Sequence, residues 1–506
     1  MASLGRNSAK VMLGRVAAIG VGFLCAPIVG RMFDPAEYAV AVLVESMIYW
    51  TMGFAALGYA QAIPLSEDEG ELRGLVRLNF VVNGALLAVV CVLVLVGSAI
   101  ARKYEQPVLA RLIWFVPPLF LVSCISDTAQ YAFSRLGRFG VLSMLVVVTT
   151  GLGQPMQIVV GWLFGGTASM LLTGVAISGL LGAVIAGIVL IPLMAGSGGG
   201  EASMRAVASR RRQFPRVQLW NAILQSTAYS LPVIIFGIMF ASDMATVGSF
   251  GRGRKLIMLP VMVLAISLGQ VFYPQAADEW RREGSARDSI LSTFRILSML
   301  CVFPTVCLCY LGPLMFSLFL GEKWREAGVY AQLCAPYVIF LIFAGPLKWM
   351  FLIRERAGRF FLYNVLAVVG EPLGLVAGAW IGGTPMLREL TGFAGVGWLD
   401  GARAAVLVYA IAGLLARAPL VVEAVRLGGV RLAEVVGLVV REIVVAMIVL
   451  LPAGVVYWAG GPSVAAVALA CAAGIAYLAV LYRREETVRR WVARTVGRGE
   501  QEEPAD

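Results

Sequence analysis

The sequence predicts an all-α polytopic membrane protein with about fourteen transmembrane helices. Two compositional facts point there: 59% of the 506 residues are hydrophobic and only 14% are charged, giving a mean hydropathy of +0.84. A water-soluble globular chain is about half apolar and a quarter charged, so the solvent around this one is lipid. The third observation is the length of the apolar runs, about 20 residues each, which is what a helix needs to cross ~30 Å of hydrocarbon. Backbone groups in lipid must be paired internally, which leaves helices or a closed barrel. Barrel strands would read as short alternating segments, and these runs are continuous.

The first run, 11–33, is too long for a signal-peptide core and no small-residue cleavage site follows it, so it reads as the first membrane helix. Helices are expected near 10–32, 37–62, 78–101, 112–133, 141–164 and 170–194. After a break, six more are expected near 217–240, 244–275, 289–311, 327–352, 361–384 and 402–426, and a final pair near 443–459 and 463–482. The domain plan is therefore 1–194 (helices 1–6), a linker at 195–216, 217–426 (helices 7–12), 427–482 (helices 13 and 14) and a basic tail at 483–506. Six-helix halves joined by a linker are a recurrent transporter plan.

An even helix count puts both termini on one side. If that side is cytoplasmic, the cytoplasmic segments hold 26 of the 41 Lys and Arg and the opposite loops hold 8. The positive-inside rule thus predicts two cytoplasmic termini. It also accounts for the net charge of +11, and nucleic acid is not expected as a partner. The linker opens with Ser197-Gly-Gly-Gly200, a flexible composition, and continues with Arg205, Arg210, Arg211, Arg212 and Arg216. In the tail, Val488, Trp491, Val492 and Val496 recur at helical spacing among arginines. They predict either a short helix on the anionic inner leaflet or a solvated basic end, with Glu500–Asp506 disordered.

Cys25, Cys91, Cys124, Cys301, Cys307, Cys309, Cys334 and Cys471 all fall in apolar segments without metal-site spacing, and read as small buried hydrophobes. With no histidine in the chain, His-based metal sites and proton relays are excluded. No stretch outside the helices is long enough for a soluble domain, and nucleotide-binding and nucleophile-elbow motifs are absent. Transport is expected rather than catalysis, with no cofactor and no metal.

Four motifs stand at helix boundaries. The first is Pro27-Ile-Val-Gly-Arg31-Met-Phe-Asp34-Pro35-Ala-Glu37-Tyr38, followed by Tyr59-Ala-Gln61-Ala62-Ile63-Pro64. The third is Gly248-Ser-Phe-Gly-Arg-Gly-Arg254-Lys255-Leu-Ile-Met-Leu-Pro260 with Gln270-Val-Phe-Tyr-Pro274, and the fourth Leu320-Gly321-Glu-Lys-Trp324 with Ala327-Gly328. Together they resemble Wzx-type polysaccharide flippases of the multidrug/oligosaccharidyl-lipid/polysaccharide exporter superfamily, over about residues 10 to 360. Two departures are visible: Ala39 replaces the hairpin's usual Gly, and the family's Tyr-Glu-x-Ala-Ile run appears here without its Glu. The resemblance implies two six-helix lobes around a central, often cationic, cavity. It implies alternating access and movement of an undecaprenyl-pyrophosphate-linked oligosaccharide from the cytoplasmic to the periplasmic leaflet of a bacterial inner membrane. The product would feed O-antigen, capsule or exopolysaccharide assembly, with a polysaccharide polymerase and chain-length regulator as further partners.

A charge in hydrocarbon is expensive and faces a wet cavity or a partner. The cations inside predicted spans are Arg15, Arg252, Arg254, Lys255, Arg295, Lys348 and Arg417, and the acids are Glu45, Asp127, Glu371 and Glu423. This surplus of cations suits a lipid pyrophosphate, for which Arg offers a planar fork. Arg252, Arg254 and Lys255 are expected to line the cavity, where alternation with Gly251 and Gly253 suggests a locally open backbone. Arg15 and Arg295 are further phosphate candidates or snorkel to the interface; Lys348 snorkels. Arg417 and Glu423 read as interfacial. Gates or ion-coupling sites are expected at Glu45, Glu371 and Asp127. A shift of 209 positions, Tyr38-Ala39 onto Val247-Gly248, sets Glu45 opposite Arg254 as a candidate pair. Glu371 precedes the ladder-breaking Pro372, and Asp127 shares a face with Gln130. Asn221 with Gln225, and Gln154 with Gln157, are sugar ligands or interhelical glue. Trp50, Trp114, Trp162, Trp324 and Trp458 read as interfacial belt residues. The rivals are a lipid II flippase of the same superfamily, an ion-coupled drug or cation antiporter, and a membrane polymerase or glycosyltransferase. The surplus of cations weighs against the antiporter.

Overall fold

The computed structural model of the chain meets the pairing demand of lipid with helices alone, for no strand occurs among the described residues. Those are residues 2–103, 105–195, 203–383 and 400–484, with side chains described from 14 onward except at 260, 262–267, 270 and 482–484. The tail helix suggested by Val488 to Val496 and the glycines of the linker lie outside them.

Fourteen helical rods follow one another among the described residues. They are α1 (Ala2–Met32), α2 (Pro35–Met52 with Ala55–Leu65), α3 (Glu69–Lys103), α4 (Pro107–Arg135), α5 (Phe139–Gly151 with Gly153–Phe164) and α6 (Ala168–Ala195). After a short linker helix, Met204–Arg210, come α7 (Gln213–Met239), α8 (Met244–Glu283), α9 (Arg287–Leu320), α10 (Glu322–Ile353), α11 (Ala357–Gly383), α12 (Gly401–Leu427), α13 (Leu432–Trp458) and α14 (Ser463–Arg484). Eleven are long and apolar enough to cross a membrane, and thirteen are when each bent pair is one span. The remaining rod, α8, has 40 residues and is about 60 Å long at 1.5 Å per residue.

The expected helices are all present, and most run past their hydropathy limits. Among the helix starts the largest differences are at α3 and α13, which begin at Glu69 and Leu432 rather than near 78 and 443. A helical ladder does not need apolar side chains, so it continues into water, where Glu69, Glu71 and Glu434 complement the positive helix start. Pro35 and Pro107 open their helices at the position where a missing N–H costs nothing. Gly165 and Gly321, at φ 98° and 110°, turn the chain where a side chain would be strained.

The chain divides into two compact units. The first comprises Met1–Leu259, Phe316–Tyr330 and Asn364–Ala412. One of its cores joins α2, α3, α4, α5 and α6 through Ile63, Leu75, Phe133, Leu145 and Leu190, and takes in Val207 of the linker helix. The second comprises Pro260–Met315, Ala331–Tyr363 and Gly413–Asp506. There α9 packs on α13 and α14, with Phe303 stacked on Tyr477 at 4.8 Å and the Tyr477 hydroxyl donating to buried Glu442 at 3.2 Å.

Within the first unit the hairpin between α1 and α2 is clasped by the turn between α9 and α10. Arg31 donates to the Leu318 carbonyl at 3.0 Å, Lys323 pairs with Asp34 at 2.8 Å, and the Trp324 indole donates to the Gly30 carbonyl at 2.7 Å. Glu37 accepts the Ala168 N–H at 2.6 Å and so caps α6. The first and fourth motifs therefore form one structural clasp. Trp324 is 0% exposed, which corrects its reading as a belt residue: its ring fills the clasp and its N–H is spent inside. Trp162 and Trp458 are exposed, as belt residues are.

The glycines of the third motif have a different role from the one expected. A Cβ at Gly248 would collide with the Pro35 carbonyl, one at Gly251 with Val42, and one at Gly253 with the Ala327 carbonyl. They allow α8 to lie directly on α2 and α10, and the helix stays continuous through them.

Candidate functional site

The first unit contains a cavity of about 660 Å³, built where two helices break. α2 bends by 57° between its two segments. At the bend Ala56, Leu57 and Gly58 are left-handed, with φ of 50°, 47° and 80°. For Ala and Leu this costs ~1–3 kcal/mol each unless the surroundings impose it. They are imposed: the Ala56 N–H, which a continuous helix would direct to the Met52 carbonyl, donates instead to Oδ1 of buried Asn83 on α3 at 2.6 Å. The Leu57 N–H bonds the Phe54 carbonyl rather than that of Gly53. Met52, Gly53, Ala55, Gly58, Ala60 and Gln61 of this broken stretch all line the cavity.

The second break is in α5, where Val147–Gly151 forms one wide π turn and the axis bends by 41°. It presents Thr149 and Thr150 to the cavity. α4 stays regular and contributes a stripe at helical spacing: Leu119, Val122, Ser123, Ser126, Asp127, Gln130 and Tyr131. Val175 and Gly179 of α6 and Ala222, Gln225 and Ser226 of α7 complete the wall, with Tyr49 from α2.

Chemically the wall is about half apolar, with Met52, Leu119, Val122 and Val175 among small residues, and half neutral hydrogen-bonding groups and aromatic edges; Asp127 is the one charged residue among the described lining residues. Three amides, Gln61, Gln130 and Gln225, each offer two donors and an acceptor. Ser126 is 7% exposed, and its hydroxyl has no hydrogen-bond partner among the described residues. Arg15 is exposed on α1 and is not among the lining residues.

The other expected site residues lie elsewhere, and none of Arg252, Arg254 and Lys255 lines this cavity. Arg252 is 2% exposed. Its guanidinium sits 5.0 Å from the Tyr38 ring centroid and 5.9 Å from that of Trp324, and donates to the Ala26 carbonyl at 2.9 Å. Arg254 donates to the Tyr229 carbonyl at 2.8 Å and the Tyr409 hydroxyl at 3.2 Å, with its charge over the Tyr229 ring. The expected cationic lining is thus corrected: these arginines neutralise carbonyl ends and stack on aromatics in a packed helix interface. The expected Glu45–Arg254 pair is corrected as well. Lys255 pairs with Glu45, Nζ to Oε2 at 2.7 Å, because successive helical residues point about 100° apart.

Glu371 is 2% exposed in α11, close to where Gly374 and Gly378 meet α12. Arg295 is exposed on α9 in the second unit. In that unit too, Glu423 takes hydrogen bonds from Arg359 and Tyr363 of α11. Gln225 lines the cavity while Asn221 does not. Gln157 is interhelical glue, donating to the Leu171 carbonyl at 3.2 Å. Sequence reasoning missed the two helix breaks. Their signals were Gly53 and Gly58 around the first and Gly151-Leu-Gly153-Gln-Pro155 at the second.

A cavity with a half-polar wall among helices long and apolar enough to cross a membrane marks a multi-pass membrane protein. More particularly, a profile of the family described as "Polysaccharide biosynthesis protein" matches residues 28–328, and the chain belongs to that family. Among solved structures it resembles the lipid II flippase MurJ in an inward closed conformation, at TM-score 0.64 and 10% identity over 94% of this chain and 98% of that one. It also resembles an inward-facing multidrug resistance MATE family transporter of the MOP superfamily (TM-score 0.55, 15% identity, 82% and 96% covered). A third likeness is to a MOP superfamily transporter from Pyrococcus furiosus (TM-score 0.56, 13% identity, 83% and 95% covered). At these identities the likeness is one of fold. No curated protein matches the chain.

Proposed function

We propose that this protein is a flippase for a polyprenyl-pyrophosphate-linked oligosaccharide, moving it from the cytoplasmic to the periplasmic leaflet of a bacterial inner membrane for O-antigen, capsule or exopolysaccharide assembly. One observation carries the reading: in a member of a polysaccharide biosynthesis family, about half of the cavity wall is amides, hydroxyls and tyrosines. A saccharide presents hydroxyls in every direction, and such a wall can bond them at little desolvation cost. The polyprenyl chain stays in lipid. In this reading Arg15, exposed on α1, is the cation assigned to the pyrophosphate. The termini are cytoplasmic by the charge rule, which sets the lining ends of α2, α4 and α7 toward the cytoplasm. In this reading the lobes 1–194 and 217–426 rock about the cavity.

A second reading, a cation antiporter, is favoured by Asp127 as the one charged residue among the described lining residues. The argument against it from surplus cations no longer stands, since Arg252 and Arg254 are buried in the helix packing and Lys255 is paired with Glu45. Purified protein in proteoliposomes separates the two. The flippase reading expects a fluorescent polyprenyl-pyrophosphate oligosaccharide to become accessible in the opposite leaflet, faster than in protein-free vesicles. Efflux of organic cations without lipid movement would replace it with the antiporter.

A further inference from the structure

Resting on the flippase reading, we infer that the saccharide accepted by this cavity carries no negative charge: it is a neutral unit rich in hydroxyl and acetamido groups. The charge inventory of the wall leads there. Among the described lining residues Asp127 is the one ionisable carboxylate or base, and it lies mid-stripe on α4 between Ser123, Ser126 and Gln130. The three cations first expected in the lining are committed elsewhere. Arg252 is used by Ala26, Tyr38 and Trp324, Arg254 by Tyr229 and Tyr409, and Lys255 by Glu45.

A uronic or other acidic sugar inside this wall would bring a second anion beside Asp127 with no lining cation to offset it. Burying such a charge unpaired is costly, and like charges held together raise that cost further. Arg15 does not cancel it. It is exposed on α1 and stands outside the wall, where a pyrophosphate would claim it first. A neutral sugar meets the opposite situation. Its hydroxyls donate to the Asp127 carboxylate, and charge-assisted bonds of this kind are about twice as strong as neutral ones. Gln61, Gln130 and Gln225 bond both ends of an acetamido group, and the unpartnered Ser126 hydroxyl gains a partner. The second motif fits this reading, because Ala60, a lining residue, brings no second acid to the wall.

The test uses the full chain in nanodiscs and two synthetic polyprenyl-pyrophosphate disaccharides, differing in a terminal N-acetylglucosamine or glucuronic acid. Binding is read by a fluorescent label on the lipid, and leaflet transfer is read in proteoliposomes. The expected result is at least about tenfold tighter binding of the neutral lipid, as a like-charge contact costs several kcal/mol. In Asp127→Asn, with an unchanged thermal midpoint, the gap should narrow to within about threefold. Equal binding, or preference for the acidic lipid, by the unaltered protein would overturn the inference. So would a neutral preference that persists undiminished in Asp127→Asn. If neither lipid binds or moves, the flippase reading itself fails, which is a different result from a failed preference.

Discussion

Removing the Arg211 side chain is the most exacting perturbation of this fold outside the membrane core. Glu71, in the first turn of α3, is 3% exposed. Its carboxylate accepts Nε of Arg211 at 2.8 Å, Nη2 at 3.1 Å and the Glu67 N–H at 2.8 Å. The same guanidinium donates to the Leu65 carbonyl at 2.8 Å, at the end of the segment that lines the cavity. Truncating one member of a fully buried pair costs ~3–5 kcal/mol, most of it from the charge left behind. Arg211 keeps a small contact with solvent, so Arg211→Ala is expected to cost about 2–4 kcal/mol. Glu71→Gln, which removes the stranded charge, should cost less, and the double variant should cost clearly less than the sum. Unfolding titrations in mixed micelles measure this cycle. A coupling of at least ~1 kcal/mol is expected, and additivity within ~0.3–0.5 kcal/mol would refute the clamp.

Three further outcomes follow from the same geometry. Arg252→Lys should lower stability by about 2–3 kcal/mol, read as the thermal midpoint in detergent, because an ammonium cannot serve Tyr38, Trp324 and the Ala26 carbonyl together; a midpoint within a degree of the parent would oppose the clasp described. Lys255→Met should impair folding more than Lys255→Met combined with Glu45→Gln, since the first strands a carboxylate in the span; equal yields of folded protein would show that the two are not paired. Asn83→Leu removes the acceptor of the Ala56 N–H and should cost about 1–3 kcal/mol. It should also raise the reactivity of a cysteine placed at Gln61, and unchanged labelling there would mean that the left-handed turn holds without Asn83.

Apolar run length and turn residues were enough to place the helices, because crossing hydrocarbon leaves the backbone almost no choice. Asp127, Gln130 and Gln225 were legible as site candidates for a related reason: polar residues recurring on one helical face in a lipid-soluble chain need something polar to face. The cationic triplet of α8 misled because sequence reveals a buried charge and not its partner. Arg252 and Arg254 reach carbonyls and aromatic faces brought in from α1, α7, α10 and α12, which no local pattern announces. The Glu45 pairing failed by one residue, since a register shift aligns positions along the chain and does not fix the direction of a side chain. The break in α2 was the hardest feature to see, because it depends on Asn83 supplying a distant acceptor to Ala56.

The central claim is that a lipid-linked saccharide travels through the cavity walled by Asp127, Gln130 and Gln225. It is tested most directly by filling that space. Ser123→Trp and Gln225→Trp place bulk inside the wall from α4 and from α7, and leaflet transfer of a polyprenyl-pyrophosphate oligosaccharide is then followed in proteoliposomes. The account predicts transfer by the unaltered protein and a loss of at least tenfold in both variants at comparable thermal midpoints. Transfer at the parent rate with the cavity filled would contradict it.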